Sequence, residues 1–199
     1  NLLGSKALVH HQPYGVVGII SPWNFPVALS LGPLIEVFAA GNNAMMKLSE
    51  FVPETSKLMA DLVNKYFSED ELVIINGGTQ TSVDFTTLDF DHLLYTGSTA
   101  VGKKVCAAAA NNLVPVTMEL GGKSPVVVSN QSNLKKSVSQ IMTGKTVNAG
   151  QICVAPDYVF VPTESQDEFV SLARDFVKNS FPTIKNNPDY TSIIHLNHY

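Results

Sequence analysis

Residues 91–110 read DHLLYTGSTAVGKKVCAAAA. The stretch changes its pattern halfway. Residues 91–97 form an apolar run that stops on Gly97, as a buried strand does. Ser98 then opens residues 98–112 as an alanine-rich helix, and serine is a favoured helix cap. A short strand that passes through glycine into a helix is half of a parallel βαβ unit.

The same alternation continues in both directions. Upstream, YGVVGII (14–20) reads as a buried strand, with Pro22 and Pro26 bracketing a turn. Residues 27–40 read as an apolar helix ending at Gly41, and NAMMKL (43–48) as a short strand. PETSKLMADLVNKYF (53–67) has proline in its first turn and Leu58, Met59, Leu62, Val63 and Phe67 at helical spacing. ELVIING (71–77) is another strand, running into Gly77 and Gly78. Downstream, VPVTMEL (114–120), SPVVVSN (124–130) and DYVFVP (157–162) read as strands, and residues 133–147 and 164–181 as helices. Buried strands alternating with helices define an α/β fold, a parallel sheet with helices on both faces. No repeat, low-complexity tract or long linker interrupts it. Gly121–Gly122 is the best joint between two subdomains, 1–121 and 122–199.

Bulk properties narrow the function. A chain of 199 residues, 45% hydrophobic and 15% charged, can bury a core in one or two domains. A net charge of −4 offers no basic field to nucleic acid or anionic lipid. Cys106 and Cys153 make no disulfide framework and suit a reducing, cytoplasmic setting. No apolar run approaches the roughly 18 residues of a membrane span. NLLGSKALVHHQ (1–12) does not read as a signal peptide. The first residue is not methionine, so the chain reads as an excerpt or a processed product.

Parallel α/β sheets bind ligands where their strands end. The loop at 95–104, YTGSTAVGKK, turns at Gly97 and opens a helix whose N–H groups favour phosphate. It nearly matches a P-loop, but Lys104 stands where serine or threonine must bind magnesium. GGKS (121–124) and TGKT (143–146) fail because Thr117 and Ser139 replace the first glycine. The G-x-G-x-x-G fingerprint fails at Thr99. An NTPase is therefore disfavoured. By spacing alone, phosphate binding at 97–102 and an ordinary helix cap both stay open.

Several side chains could carry chemistry, each with a plain alternative. Cys153 in NAGQICVAPDYVFV (148–161) is either a nucleophile or a small packing residue. Glu119 closes an apolar strand, where a buried carboxylate gains proton affinity and suits a general base; the alternative is a strand end facing water. Asn24 in SPWNFP (21–26) could donate to an oxyanion or simply make a turn. Lys47 and Glu50 could grip one polar ligand, or form a surface ion pair worth little. Trp23 is either core or ligand wall. Cys106 reads as packing, and His10, His11, His195 and His198 as surface residues without a metal set.

In order, PWNFP (22–26), KLSE (47–50), YTGSTAVG (95–102), ELGGKSP (119–125) and NAGQICVAPDY (148–158) resemble the aldehyde dehydrogenase superfamily over nearly the whole chain. CVAPDY and NPDYTSII (187–194) are similar to its class 3 and coniferyl aldehyde dehydrogenase branch. The resemblance implies a Rossmann-type cofactor domain, 1–121, N-terminally incomplete, followed by the start of a catalytic domain, 122–199. It implies oxidation of an aromatic aldehyde such as coniferyl aldehyde, or a medium-chain one, using NAD or NADP. It implies Cys153 as nucleophile, Asn24 with the Cys153 backbone N–H as oxyanion hole, and Glu119 as base for the hydrolytic water. Gly97 and Ser98 would lie at the pyrophosphate. Lys47 and Glu50 would hold the adenosine ribose. Trp23, Val101 and Gly102 would line the adenosine side, and Leu120 and Gly121 the nicotinamide side. No metal is implied, and the full-length protein would be a homodimer.

Leu48 departs from the family's usual proline, and Ile152 from the branch's frequent threonine, beside the nucleophile. Family members are much longer. An N-terminal helical part, a downstream E-x-F-G-P segment and the C-terminal segment are not among these residues. The isolated chain is therefore expected to be poorly active. The rival readings are a CoA-acylating or phosphorylating relative, which needs no water-activating base, and a non-catalytic protein on the same fold.

Overall fold

The pattern of the central strand decides which residues meet on each face. In β1 (Val16–Ile20), Val17 and Ile19 point to one side of the sheet and Gly18 and Ile20 to the other. The computed structural model describes residue 4 and residues 6–198, with Asn197 by its backbone alone. Around β1 lie β2 (Asn43–Lys47), β3 (Leu72–Ile75), β4 (His92–Gly97) and β5 (Val116–Leu120). They form a five-stranded, wholly parallel sheet in the order β3-β2-β1-β4-β5. The chain winds outward from β1 to β3, then crosses back to add β4 and β5. The order reverses between β1 and β4.

Helices cover both faces. α1 (Ala28–Ala39) and α2 (Pro53–Tyr66) set Leu34, Met59 and Val63 against Val17, Ile19, Ala44, Met46, Leu72 and Ile74. α3 (Thr79–Phe85) and α4 (Thr99–Ala110) set Phe85, Val105 and Ala109 against Ile20, Leu93 and Tyr95. Gly18 makes room on this second face. A Cβ there would lie 2.8 Å from the Phe90 ring and 2.7 Å from Leu93. α3 is absent from the sequence reading, because TQTSVDF has too few apolar residues to show a helical stripe and Gly78 offers no side-chain cap.

The chain divides into two compact units, one running through Leu120 and one beginning at Gly121. In the second unit, β6 (Ser124–Val127) and β7 (Pro156–Phe160) pair in parallel. α5 (Leu134–Thr146) makes the crossover between them. Asn133 caps it by accepting the Lys136 N–H at 3.0 Å. α6 (Gln166–Ser180) packs against α5. Val128, Val138 and Ile141 are buried in this unit. β6 and β7 end sooner than the apolar runs 124–130 and 157–162 suggested.

Candidate active site

Because the five strands run one way, the chain leaves each of them at the same edge. In the first unit that edge gathers the candidates from distant parts of the sequence. Trp23 and Asn24 are half-buried in the loop after β1. Lys47 ends β2 and Glu50 lies in the loop beyond it. Gly97 ends β4, Ser98 caps α4, and Val101 and Gly102 sit in its first turn. Glu119 and Leu120 end β5. The order reversal between β1 and β4 puts the Asn24 loop beside the Gly97 loop. Gly121 begins the second unit.

The glycine loop is built by close approach. A Cβ on Gly97 would collide with the Tyr95 hydroxyl, and one on Gly102 would lie 3.0 Å from Leu120 Cδ2. Ser98 Oγ accepts from the Val101 N–H at 3.3 Å, and its carbonyl accepts from the Gly102 N–H at 2.8 Å. The first N–H groups of α4 have no partner within their helix, and the helix dipole adds partial positive charge there. That donor set fits an anionic group such as a pyrophosphate. Tyr95 escaped the sequence reading. It is buried, its hydroxyl donates to the Ser98 carbonyl at 3.3 Å, and burial raises its pKa.

Lys47 is unusual for a charged residue. It is 1% exposed, so the surface-pair alternative fails for it. Its Nζ donates to the Leu48 carbonyl at 2.5 Å and lies 4.0 Å from Glu50 Oε2. Burial lowers its pKa, and Glu50 opposes that only in part. Glu50 is exposed and accepts from the Thr79 hydroxyl at 3.5 Å. Thr79, the first residue of α3, was also missed. Nothing in the sequence shows that α3 begins beside Glu50. An ammonium and a carboxylate at one strand end suit a vicinal diol, which accepts from one and donates to the other.

Glu119 is exposed on the edge strand β5. The burial that the apolar run VPVTMEL suggested is not found there. Tyr14 stacks on His92 at 5.1 Å, and His92 Nε2 lies 2.9 Å from Thr117 Oγ1. His92 starts β4, so this group belongs to the opposite edge.

In the second unit Cys153 is exposed and Cys106 of the first unit is half-buried. Cys153 is second in a tight turn, 152–155, closed by the Ala155 N–H on the Ile152 carbonyl at 3.1 Å. The preceding residues, Asn148, Ala149 and Gly150, have φ of 52°, 54° and 76°. Gln151 links this left-handed run to Ser192 and Ile194. The sequence places an amide beside Cys153 but does not show its distant partners.

Among the described residues no group of three or more His, Cys, Asp or Glu could hold a metal ion. No helix there is long and apolar enough to cross a membrane.

Residues 3–198 match the family model described as "Aldehyde dehydrogenase family". A probable coniferyl aldehyde dehydrogenase of Caulobacter vibrioides is 54% identical over 100% of this chain, which covers 41% of that protein. A substrate-bound Staphylococcus aureus AldH structure superposes with a TM-score of 0.88 at 41% identity, over 94% of this chain and 41% of that one. A Mycobacterium tuberculosis aldehyde dehydrogenase complexed with NAD+ gives a TM-score of 0.78 at 32% identity, over 83% of this chain and 35% of that one. The chain thus spans about two fifths of the length of these relatives.

Proposed function

The chain belongs to the aldehyde dehydrogenase family, and from that premise we propose that it serves in the NAD(P)-dependent oxidation of an aldehyde to its carboxylic acid. The substrate is an aromatic aldehyde of the coniferyl type or a medium-chain aliphatic one. The observation that carries the reading is Lys47, a buried ammonium retained at the ligand edge of a parallel sheet. At the same edge, on the far side of β1, lies a glycine loop whose helix N-terminus favours an anion.

The first unit holds the cofactor. Gly97 and Ser98 receive the pyrophosphate, with Val101, Gly102 and Trp23 on the adenosine side. Lys47 and Glu50 grip the adenosine ribose, and Leu120 with Gly121 of the second unit face the nicotinamide. Glu50 accepts from a 2′-hydroxyl and repels a 2′-phosphate, which favours NAD unless the carboxylate swings away. A nicotinamide cofactor, when bound, supplies the hydride acceptor that turns the Cys153 adduct into a thioester.

The chain's own groups do the rest. The Cys153 thiolate attacks the carbonyl carbon, because a thiol is the most nucleophilic side chain near neutral pH. The Asn24 amide and the Cys153 backbone N–H donate to the oxygen that gains negative charge. Glu119 takes a proton from the water that hydrolyses the Cys153 thioester, and the carboxylic acid leaves. The test follows reduced-nicotinamide absorbance with an aromatic aldehyde, NAD+ and NADP+, using the protein encoded by the full gene beside Cys153→Ala. A rise that Cys153→Ala abolishes is expected. No rise with either cofactor sinks the reading.

A further inference from the structure

The segment leading to Cys153 adopts a conformation that L residues avoid. Asn148, Ala149 and Gly150 are left-handed in succession, and two of them carry a Cβ. Left-handed geometry is routine only for single residues and glycine. At Gly150 a side chain is crowded as well, because a Cβ would lie 3.0 Å from the Lys145 carbonyl. Such a turn persists only where its surroundings impose it.

Gln151 imposes it with both ends of its amide. Its backbone N–H and its Nε2 each donate to the Asn148 carbonyl at 3.0 Å, and Asn148 Nδ2 donates back to the Gln151 carbonyl at 3.3 Å. The same Nε2 donates to the Ser192 carbonyl at 3.1 Å, while Oε1 accepts the Ile194 N–H at 3.0 Å. One primary amide therefore ties the left-handed turn to residues 192–194, far along the chain. Only an amide presents two donors and an acceptor in one plane. The next residue opens the tight turn that displays Cys153.

We propose that Gln151 is a positioning residue: its amide clamps residues 192–194 onto the turn at 148–150 and thereby fixes where the Cys153 thiol is presented. The proposal rests on Cys153 being the nucleophile. It deepens that reading by assigning the task of aiming the thiol to a residue outside the nucleophile, oxyanion-hole and base set. A nucleophile misplaced by about 1 Å loses on the order of 10²-fold in rate, so a clamp at this point is felt in chemistry before it is felt in binding.

The test compares Gln151→Ala with the size-preserving Gln151→Glu in the protein encoded by the full gene. Gln151→Glu keeps an acceptor for Ile194 but turns one carboxylate oxygen toward the Asn148 and Ser192 carbonyls. Three readouts are taken: kcat and KM for an aromatic aldehyde, hydrogen exchange resolved to residues 192–194, and iodoacetamide labelling of Cys106 as a report of general unfolding. The expected result is a kcat lower by about 10²-fold in both variants with KM within about twofold. Exchange at 192–194 quickens, and Cys106 labelling stays at the wild-type rate. Wild-type kcat alongside faster exchange overturns the proposal. So does unchanged exchange, or a loss of kcat that tracks faster Cys106 labelling. If Gln151→Ala does not fold, Gln151→Glu decides by the same criteria. Cys153→Ala separates the two levels. Turnover in that variant sinks the nucleophile reading itself, whereas an inactive Cys153→Ala beside fully active Gln151 variants sinks the clamp alone.

Discussion

Replacing Lys47 with methionine should stabilise the protein and weaken cofactor binding at the same time. The side chain is 1% exposed, and its charge has two neighbours, the Leu48 carbonyl at 2.5 Å and Glu50 at 4.0 Å. A pair at that separation attracts by about 4 kcal/mol at an effective dielectric of about 20, and by about 1 kcal/mol in water. Glu50 is 36% exposed, which moves the pair toward the smaller figure. Withdrawing an ammonium from water costs several kcal/mol, so desolvation wins and the pKa falls below 10.5. Methionine fills a similar volume without the charge. Replacing a buried ion by a well-packed apolar residue gains about 1–4 kcal/mol. The lower end applies here because the Leu48 carbonyl loses its donor, and about 1–2 kcal/mol corresponds to a rise in Tm of roughly 3–6 °C for a chain of this size. The pH dependence has a definite sign. Folding disfavours the Lys47 ammonium relative to the unfolded chain, so the penalty is full below the lowered pKa and fades as pH rises toward 10.5. The advantage of Lys47→Met should therefore be largest near neutral pH and shrink in alkali. Thermal melts from pH 7 to pH 10 measure it, and calorimetry with NAD+ should show affinity lower by about 10–10² fold, as for a lost charged hydrogen bond. A variant that melts lower than wild type at neutral pH, or binds NAD+ as well, would refute the reasoning.

Two further substitutions probe other parts of the site, and a third the opposite edge of the sheet. Gly97→Ala forces a Cβ into the Tyr95 hydroxyl and should cost about 1–3 kcal/mol, read by urea denaturation, as overpacking does. Asn24→Ala should lower kcat by about 10²–10³ fold with the fold intact by circular dichroism, the usual loss of one oxyanion donor. Burial lowers the pKa of His92, so its folded form prefers the neutral ring. Stability should be undiminished by this group above pH 6.5 and fall as acid protonates the ring below that, and His92→Gln should flatten the acid limb of a Tm-against-pH curve.

The sheet was legible because its signals are local. VVGII, LVII and HLLYTG are short apolar runs that only a covered strand tolerates, and the first and last are followed by helices with their own pattern. Strand and helix ends shifted by a few residues, as at β6, where the apolar run outlasts the pairing. α3 was invisible because its seven residues are mostly polar and it is anchored by Phe85 alone. At the candidate site, the glycine loop and the residues around Cys153 were readable as motifs, but their supports were not. Tyr95 matters because its hydroxyl occupies the place a Cβ on Gly97 would need. Thr79 matters because a helix absent from the pattern begins near Glu50. Gln151 matters through Ser192 and Ile194, and no periodicity links positions so far apart. Lys47 shows the converse. Its sequence context, MMKLSE, leaves a ligand grip and a surface pair both open, yet the parallel sheet buries the lysine between β1 and β3.

The most direct measurement is the mass of Cys153 itself. Glu119→Gln in the protein encoded by the full gene should slow hydrolysis while leaving thiol attack intact. Mixed with an aromatic aldehyde and NAD+, quenched in acid and digested, it should carry an acyl group on the Cys153 peptide and none on the Cys106 peptide. An acyl group on Cys106, or continued turnover with no adduct on Cys153, would contradict the chemistry assigned to this chain.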